Sequence, residues 1–231
     1  MNYLKFNNPK TKITSLISLF LSLSINTAQA SIMDKRIDIS QFNDIRLEKG
    51  LDATIICDDT SPYIIASGSQ KTLNKLQVHI NQKKLFITGA TKDYDAWNFE
   101  DNKITLKIYT NTPIETIKTM FGVKITANAC AISKKELNVN GSMGVNFSIS
   151  GQTKKLNAEL SMGAKFNSDI DSLIVDSANV NMAMGTEANL CNAKEINGNM
   201  AMGGVIYASS HAIDNTNSAI GAMVKTLNCQ L

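Results

Sequence analysis

Two short stretches, Asn181 to Gly185 and Asn199 to Gly203, carry the same letters, NMAMG. They contain two Met-x-Met pairs, Met182 with Met184 and Met200 with Met202, and soft thioether sulfur favours Cu(I) among the common ions. Residues two apart on a strand share a face, so each pair would turn both sulfurs to one side. Methionine is also an ordinary filler of irregular core gaps. Core packing is the expected role, and no metal or cofactor is assigned. Asp169 and Asp171 would face the same way on a strand, as the paired carboxylates of a glycosidase must, but no further acid or base converges on them. The only histidines, His79 and His211, are too far apart in sequence to suggest a shared site. There is no phosphate-cradling glycine loop, nucleophile elbow or zinc spacing. The expectation is a protein without catalytic residues.

One polar stretch, Thr91 to Lys103, holds Tyr94, the sole tryptophan Trp97, and Phe99 among four acids. Aromatic side chains in such a loop can stack on a glycan or anchor a protein partner, which makes these three a candidate binding loop. The plainer expectation is a lid folded over an end or side of the body, because stacked strands need their ends covered.

The elements that must carry these residues follow from a repeat. Small-Met-Gly recurs as Ser142-Met143-Gly144, Ser161-Met162-Gly163, Ala183-Met184-Gly185 and Ala201-Met202-Gly203, with Ala219-Ile220-Gly221 as a degenerate copy. The glycines step by 19, 22, 18 and 18 residues, and a looser TMFG ends at Gly122, 22 residues before Gly144. A unit of that length is too short for a helix pair and suits one coil of a β-solenoid. After each glycine the first and third residues are mostly apolar or small and the second is usually polar, as in Val145-Asn146-Phe147, which is strand periodicity. If the strand runs on through the motif, Met143, Met162, Met184 and Met202 share that inward parity and form a ladder inside the solenoid, closed by Ile220. The glycine would then supply a bend or a close backbone approach, and the Ser or Ala before the methionine would stay small on the outer face. The only plausible helix is the short SQKTLNKL. The predicted fold is all-β: a single-stranded β-helix or β-solenoid with coils of about 18–22 residues, residues 104–231, behind an N-terminal β-rich segment, residues 31–103.

Residues 1–30 look like an export leader. Lys5, Lys10 and Lys12 precede a 13-residue apolar run and then Ala28-Gln29-Ala30, so cleavage is expected after Ala30. The run falls short of the roughly 20 residues that span a bilayer, and no later segment comes closer. Three of the 23 basic residues and none of the 20 acidic ones lie in the leader, so the remainder balances at 20 against 20. That balance, with no basic stripe, argues against a nucleic-acid partner.

Four cysteines in an exported chain invite disulfides. Cys130 and Cys229 lie eight residues past a repeat glycine and Cys191 six past its own, on separated coils. At ~4.8 Å per coil the gaps among these three exceed the ~7 Å limit for bridged Cα atoms. The expectation is therefore at most one disulfide, joining Cys57 to Cys130, Cys191 or Cys229.

The opening FNDIRLEKGLDATIICDDTSPYIIASGSQKTLNKLQVHINQKKLFITG, then ITLKIYTNTPIETIKTMFGVKI and the glycine-marked repeats, resemble the head GIN domain family, exported bacterial proteins known as autotransporter adhesins. The resemblance runs from about Ile39 to Val224. It implies a β-helix-like body with a surface or envelope role and no catalytic residues. Repeats of that family are rich in Ser-Gly pairs, where this chain often writes methionine or alanine. An autotransporter also needs a C-terminal membrane barrel, and the repeats here run to Leu231. Another machine is expected to carry the protein to the surface, or it stays in the periplasm of a Gram-negative envelope. The expected function is that of a non-enzymatic adhesin or envelope binding surface; a periplasmic accessory module and a carbohydrate-active enzyme are the alternatives. The expected partner is an envelope protein or glycan, with self-association left open.

Overall fold

The computed structural model describes residues 32–89, 103–167, 173–227 and Cys229. In chain order the strands are β1 (Ile32–Asp38), β2 (Asp44–Glu48), β3 (Leu51–Cys57), β4 (Tyr63–Ser69), β5 (Gln77–Asn81), β6 (Lys84–Thr88), β7 (Ile104–Thr110), β8 (Thr116–Met120) and β9 (Lys124–Ala127). They continue as β10 (Glu136–Ser142), β11 (Asn146–Ile149), β12 (Gly151–Ser161), β13 (Lys165–Phe166), β14 (Leu173–Ala183), β15 (Glu187–Leu190), β16 (Ala193–Ala201), β17 (Val205–Ser209), β18 (Ile213–Ser218) and β19 (Met223–Leu227). A short α-helix, α1 (Gln70–Leu73), begins where the Ser69 hydroxyl accepts the Thr72 amide at 3.2 Å, and a single 3₁₀ turn spans Ala129–Ala131.

These strands build a β-solenoid from two facing sheets. One has the order β1-β4-β7-β3-β9-β11-β13-β15-β17-β19, the other β18-β16-β14-β12-β10-β8-β2-β6-β5. Each coil gives one strand to each sheet, and successive coils pair in parallel, as β10 with β12 and β12 with β14. The alternation of each strand sends one set of side chains between the sheets, where Leu137, Val139, Phe147, Leu156, Phe166 and Val180 are buried in one continuous core. Phe147 and Phe166 pack at 6.0 Å between centroids. Room for Phe147 comes from Gly141, since a Cβ there would stand 2.8 Å from the ring's Cζ and closer still to Cε2.

Sequence order and stacking order part company near the N-terminus. β2 and β3 form a coil that lies between β6/β7 on one side and β8/β9 on the other. The chain thus lays down an inner coil first, runs out to the end, and returns past it. Antiparallel β5, β4 and β1 continue the two sheets at that end.

β13 is only two residues long because Asn167 takes over the next rung. Buried, with φ at 50°, it donates its side-chain amide to the Ile149 carbonyl at 2.8 Å and accepts the Ile149 N–H at 2.7 Å. A carboxamide carries both a donor and an acceptor, so one side chain replaces a pair of backbone bonds.

The structure corrects the disulfide reading. Cys57 pairs with Cys130 on the neighbouring coil, Cα atoms 5.9 Å apart, and Cys191 pairs with Cys229 at 5.5 Å. The second bridge was excluded on coil spacing, a rule that holds only inside the ladders. Cys191 and Cys229 lie just beyond the ends of β15 and β19, where the chain is free to turn back across a coil.

Candidate functional site

The methionine-glycine motifs form the corners between the sheets. In Met143-Gly144, Met162-Gly163, Met184-Gly185 and Met202-Gly203 both residues have positive φ, with methionine at 50–61° and glycine at 68–78°. Two successive positive φ values are the sign pattern of a type I′ turn. Lys49-Gly50, Phe121-Gly122 and Ile220-Gly221 repeat it at the other coils. Nothing lies within 4 Å of a Cβ built on these corner glycines, so they are required for their conformation and not for close approach. The corners are hydrogen-bonded coil to coil: Gly122 N–H to Met143 C=O at 2.9 Å, Gly144 to Met162 at 3.0 Å, Gly163 to Met184 at 3.0 Å, Gly185 to Met202 at 2.9 Å and Gly203 to Ile220 at 3.1 Å.

This overturns the inward methionine ladder. Met143, Met162, Met184 and Met202 are 38–48% exposed, with Phe121 before them at 40% and Ile220 after them at 77%. Parity survives across the corner, since Leu160 and Ala164 or Met182 and Thr186 are buried on either side of it; the left-handed backbone turns only the corner side chain itself out of the inward row. The Met-x-Met pairs are split as well: Met182 and Met200 are buried at 3% and 2%, while Met184 and Met202 turn out to solvent.

Beside this ridge lies the outer face of the nine-stranded sheet, ordered in rows by the parallel register. Ser142, Ser161, Ala183 and Ala201 form a row of small side chains next to the corners. The next row inward holds Lys118, Asn140, Glu159, Asn181, Asn199 and Asn217. Beyond it runs Asn138, Asn157, Asn179, Asn197 and Asn215. Amides bond along these rows, Asn157 to Asn138 at 2.8 Å, Asn179 to Asn157 at 3.2 Å and Asn215 to Asn197 at 3.1 Å. Asn140 donates to Glu159 at 2.6 Å. In the row nearest the corners Asn199 donates to Asn181 and Asn217 to Asn199, each at 3.4 Å. A carboxamide has two N–H donors and two acceptor lone pairs, so these amides keep capacity for a ligand, whereas Asn157 and Asn215 in the other row also donate to Glu136 and Glu195. The small row leaves a shallow groove of ≈ 390 Å³ across the coils, with Ser161, Ala183 and Ala201 as its floor and Asn140, Glu159, Asn181 and Asn199 along one side.

The asparagine rows were not singled out in the sequence, yet a signal was there. Asn138, Asn157, Asn179, Asn197 and Asn215 step by 19, 22, 18 and 18 residues, the same steps as the repeat glycines.

The other sequence candidates do not converge. His79 lies exposed on β5, and His211, exposed before β18, has its ring near the Ser209 and Ser210 hydroxyls at 3.4 and 3.5 Å. These strands lie at opposite ends of the sheet. Tyr94, Trp97, Phe99, Asp169 and Asp171 lie outside the described residues. Among the described residues no three His, Cys, Asp or Glu side chains gather at one point. On the ten-stranded sheet near β1, the Arg36 guanidinium lies 3.8 Å over Tyr63, which stacks on Tyr109 at 4.3 Å. Hydrogen bonds from Thr60 hold the Asp58 carboxyl below its usual range, and desolvation, with Asp58 nearby, pushes the Tyr63 hydroxyl up. No helix among the described residues is long and apolar enough to cross a membrane.

A β-solenoid whose long side presents a polar groove bordered by an apolar ridge belongs to the class of repeat proteins built around an extended surface. Within that class the chain belongs to the family described as "Putative auto-transporter adhesin, head GIN domain", whose pattern matches residues 41–212. Its fold is shared by a crystal structure from Bacteroides fragilis titled a putative adhesin, at TM-score 0.62 and 14% identity, covering 85% of this chain and 97% of that one. A Parabacteroides distasonis protein titled a putative lipid binding protein matches at TM-score 0.54 and 13% identity, over 87% of this chain and 98% of its own. A Parabacteroides merdae protein titled a putative adhesin matches at TM-score 0.53, 13% identity and the same coverages. No curated protein matches the chain.

Proposed function

We propose that this chain is an exported, non-catalytic binding body of the bacterial envelope, and that it holds an extended, hydroxyl-rich glycan along the groove of the nine-stranded sheet. The observation that carries this reading is the repetition of one arrangement over successive coils. A carboxamide or carboxylate, a small residue and an apolar corner recur at about 4.8 Å intervals. Sugars offer hydroxyls to polar side chains and C–H faces to apolar ones, so a row of each on either side of a small floor suits a polymer lying along the solenoid axis. Membership of an adhesin family agrees with a place in the envelope, as does the export leader expected at residues 1–30.

The groove is tested by filling it. Ala183→Arg and Ala201→Arg place bulk on the floor from outward positions that leave the core untouched. On a bacterial and host glycan array they are expected to lower binding about tenfold or more. Wild-type binding to no glycan, or binding unchanged by both variants, would sink the reading. Protease shaving of intact and permeabilised cells places the domain. Digestion only after permeabilisation would favour the periplasmic accessory role over adhesion, and turnover of any glycan in the panel would favour an enzyme.

A further inference from the structure

The corner methionines are poorly suited to the backbone they occupy. A left-handed residue other than glycine is uncommon, and Asn or Asp tolerates that conformation best. This chain spends asparagine freely on the adjacent face, yet writes methionine at four corners in succession. Packing does not demand it, since all four side chains are 38–48% exposed. Four repeated side chains favoured by neither local conformation nor core packing point to a use for the thioether itself.

Geometry narrows that use. The corner hydrogen bonds hold Met143, Met162, Met184 and Met202 on consecutive rungs, in one row. Rungs repeat at about 4.8 Å. Two metal–sulfur bonds of about 2.3 Å span ~4.6 Å, so neighbouring rungs can supply two sulfurs to one ion without rearranging the backbone. All four thioethers are neutral and soft, and the four cysteines are held in disulfides. Such a donor set favours a soft monovalent ion over Zn²⁺ or Cu²⁺.

We propose that Met143, Met162, Met184 and Met202 form a thioether ladder that binds Cu(I), and Ag(I) as its redox-inert counterpart, along the corner of the solenoid. This site takes only the exposed member of each Met-x-Met pair, Met184 and Met202; the buried members, Met182 and Met200, lie inside the core.

The test uses the chain from Ser31 onward with both disulfides intact. Anaerobic Cu(I) competition against a coloured chelator, and native mass spectrometry with Ag(I), are run on wild type and on Met→Leu variants. Leucine keeps the apolar ridge and removes the sulfur. Met162→Leu with Met184→Leu is expected to weaken binding at least about tenfold, and the fourfold variant to abolish it, while Met33→Leu, far from the ridge, changes nothing. Circular dichroism confirms the fold of each variant. If the fourfold leucine variant does not fold, protection of the four methionines from peroxide by Ag(I), read by peptide mapping, replaces it. Wild type that takes no metal from the chelator, leucine variants that bind as well as wild type, or methionines oxidised equally with and without Ag(I) would overturn the proposal.

Discussion

Met182 and Met184 are two residues apart and live in different worlds. The first ends the inward row of β14 and is 3% exposed; the second turns the corner at φ 59° and is 45% exposed. Met200 and Met202 repeat the contrast one coil on, at 2% and 48%. Inside, the hydrophobic effect chooses the residue and its conformation follows. At the corner the backbone chooses the conformation, and the side chain is free to serve something outside the fold. Identical residues therefore differ in what removing them should do.

The largest effect is expected inside. Met182→Ala opens a cavity where the two sheets face each other and should cost about 2–5 kcal/mol, whereas Met184→Ala should stay within about 0.5 kcal/mol. Equal losses in urea unfolding would mean that the corner is packed and the contrast false. The covalent ties come next. Breaking Cys57–Cys130, which closes a 73-residue separation, or Cys191–Cys229, which closes 38, should each cost about 2–4 kcal/mol, with the longer loop losing slightly more. Paired Cys→Ser variants test this in the same unfolding series, and non-reducing peptide mapping that finds fewer than two bridges would contradict the pairing itself.

Asn167 sharpens the contrast from the polar side. Its carboxamide completes the rung beside Ile149 inside the core, so Asn167→Leu leaves a buried N–H and C=O unpaired and should cost about 1–3 kcal/mol. Asn179→Leu, on the solvent face, removes an amide whose partners water can replace and should cost under about 1 kcal/mol. Amide hydrogen exchange at Ile149 should rise sharply in the first variant and not in the second.

Much of the body was readable from residue order alone. Glycine spacing gave the coils, the alternation after each glycine placed Val145, Phe147, Ala164 and Phe166 inside, and Ser142, Ser161, Ala183 and Ala201 were placed on the outer face, where the last three floor the groove. The corners themselves were misread because type I′ geometry usually announces itself as Asn-Gly, and here a methionine stands in the asparagine's place. A period of two continued across such a pair places the residues on either side correctly and fails only for the methionine at the corner, whose left-handed backbone points its side chain out. The insertion of β2/β3 between β6/β7 and β8/β9 has no local signal, since long-range strand order depends on which edges meet and not on any one segment. The Cys191–Cys229 bridge escaped for a related reason: both cysteines sit past the last paired residue of their strands, where coil spacing no longer constrains them.

The smallest expected effect divides the corner's two possible roles most cleanly. A non-glycine residue in the left-handed region carries a penalty of roughly 1–2 kcal/mol, and asparagine relieves part of it. Met184→Asn should therefore stabilise the protein by a few tenths of a kcal/mol up to about 1, a rise in Tm of some 1–4 °C for a domain of this size. Gly185→Ala, next along the same corner, should lower stability by about 1 kcal/mol, because its φ of +68° suits no Cβ although space is open around it. If Met184→Asn is more stable and also binds Ag(I) less tightly, the methionine is held against the backbone's preference for the sake of its sulfur. If it is less stable, the side chain packs on its neighbours along the ridge, and the row from Phe121 to Ile220 is a structural seam instead of a free edge.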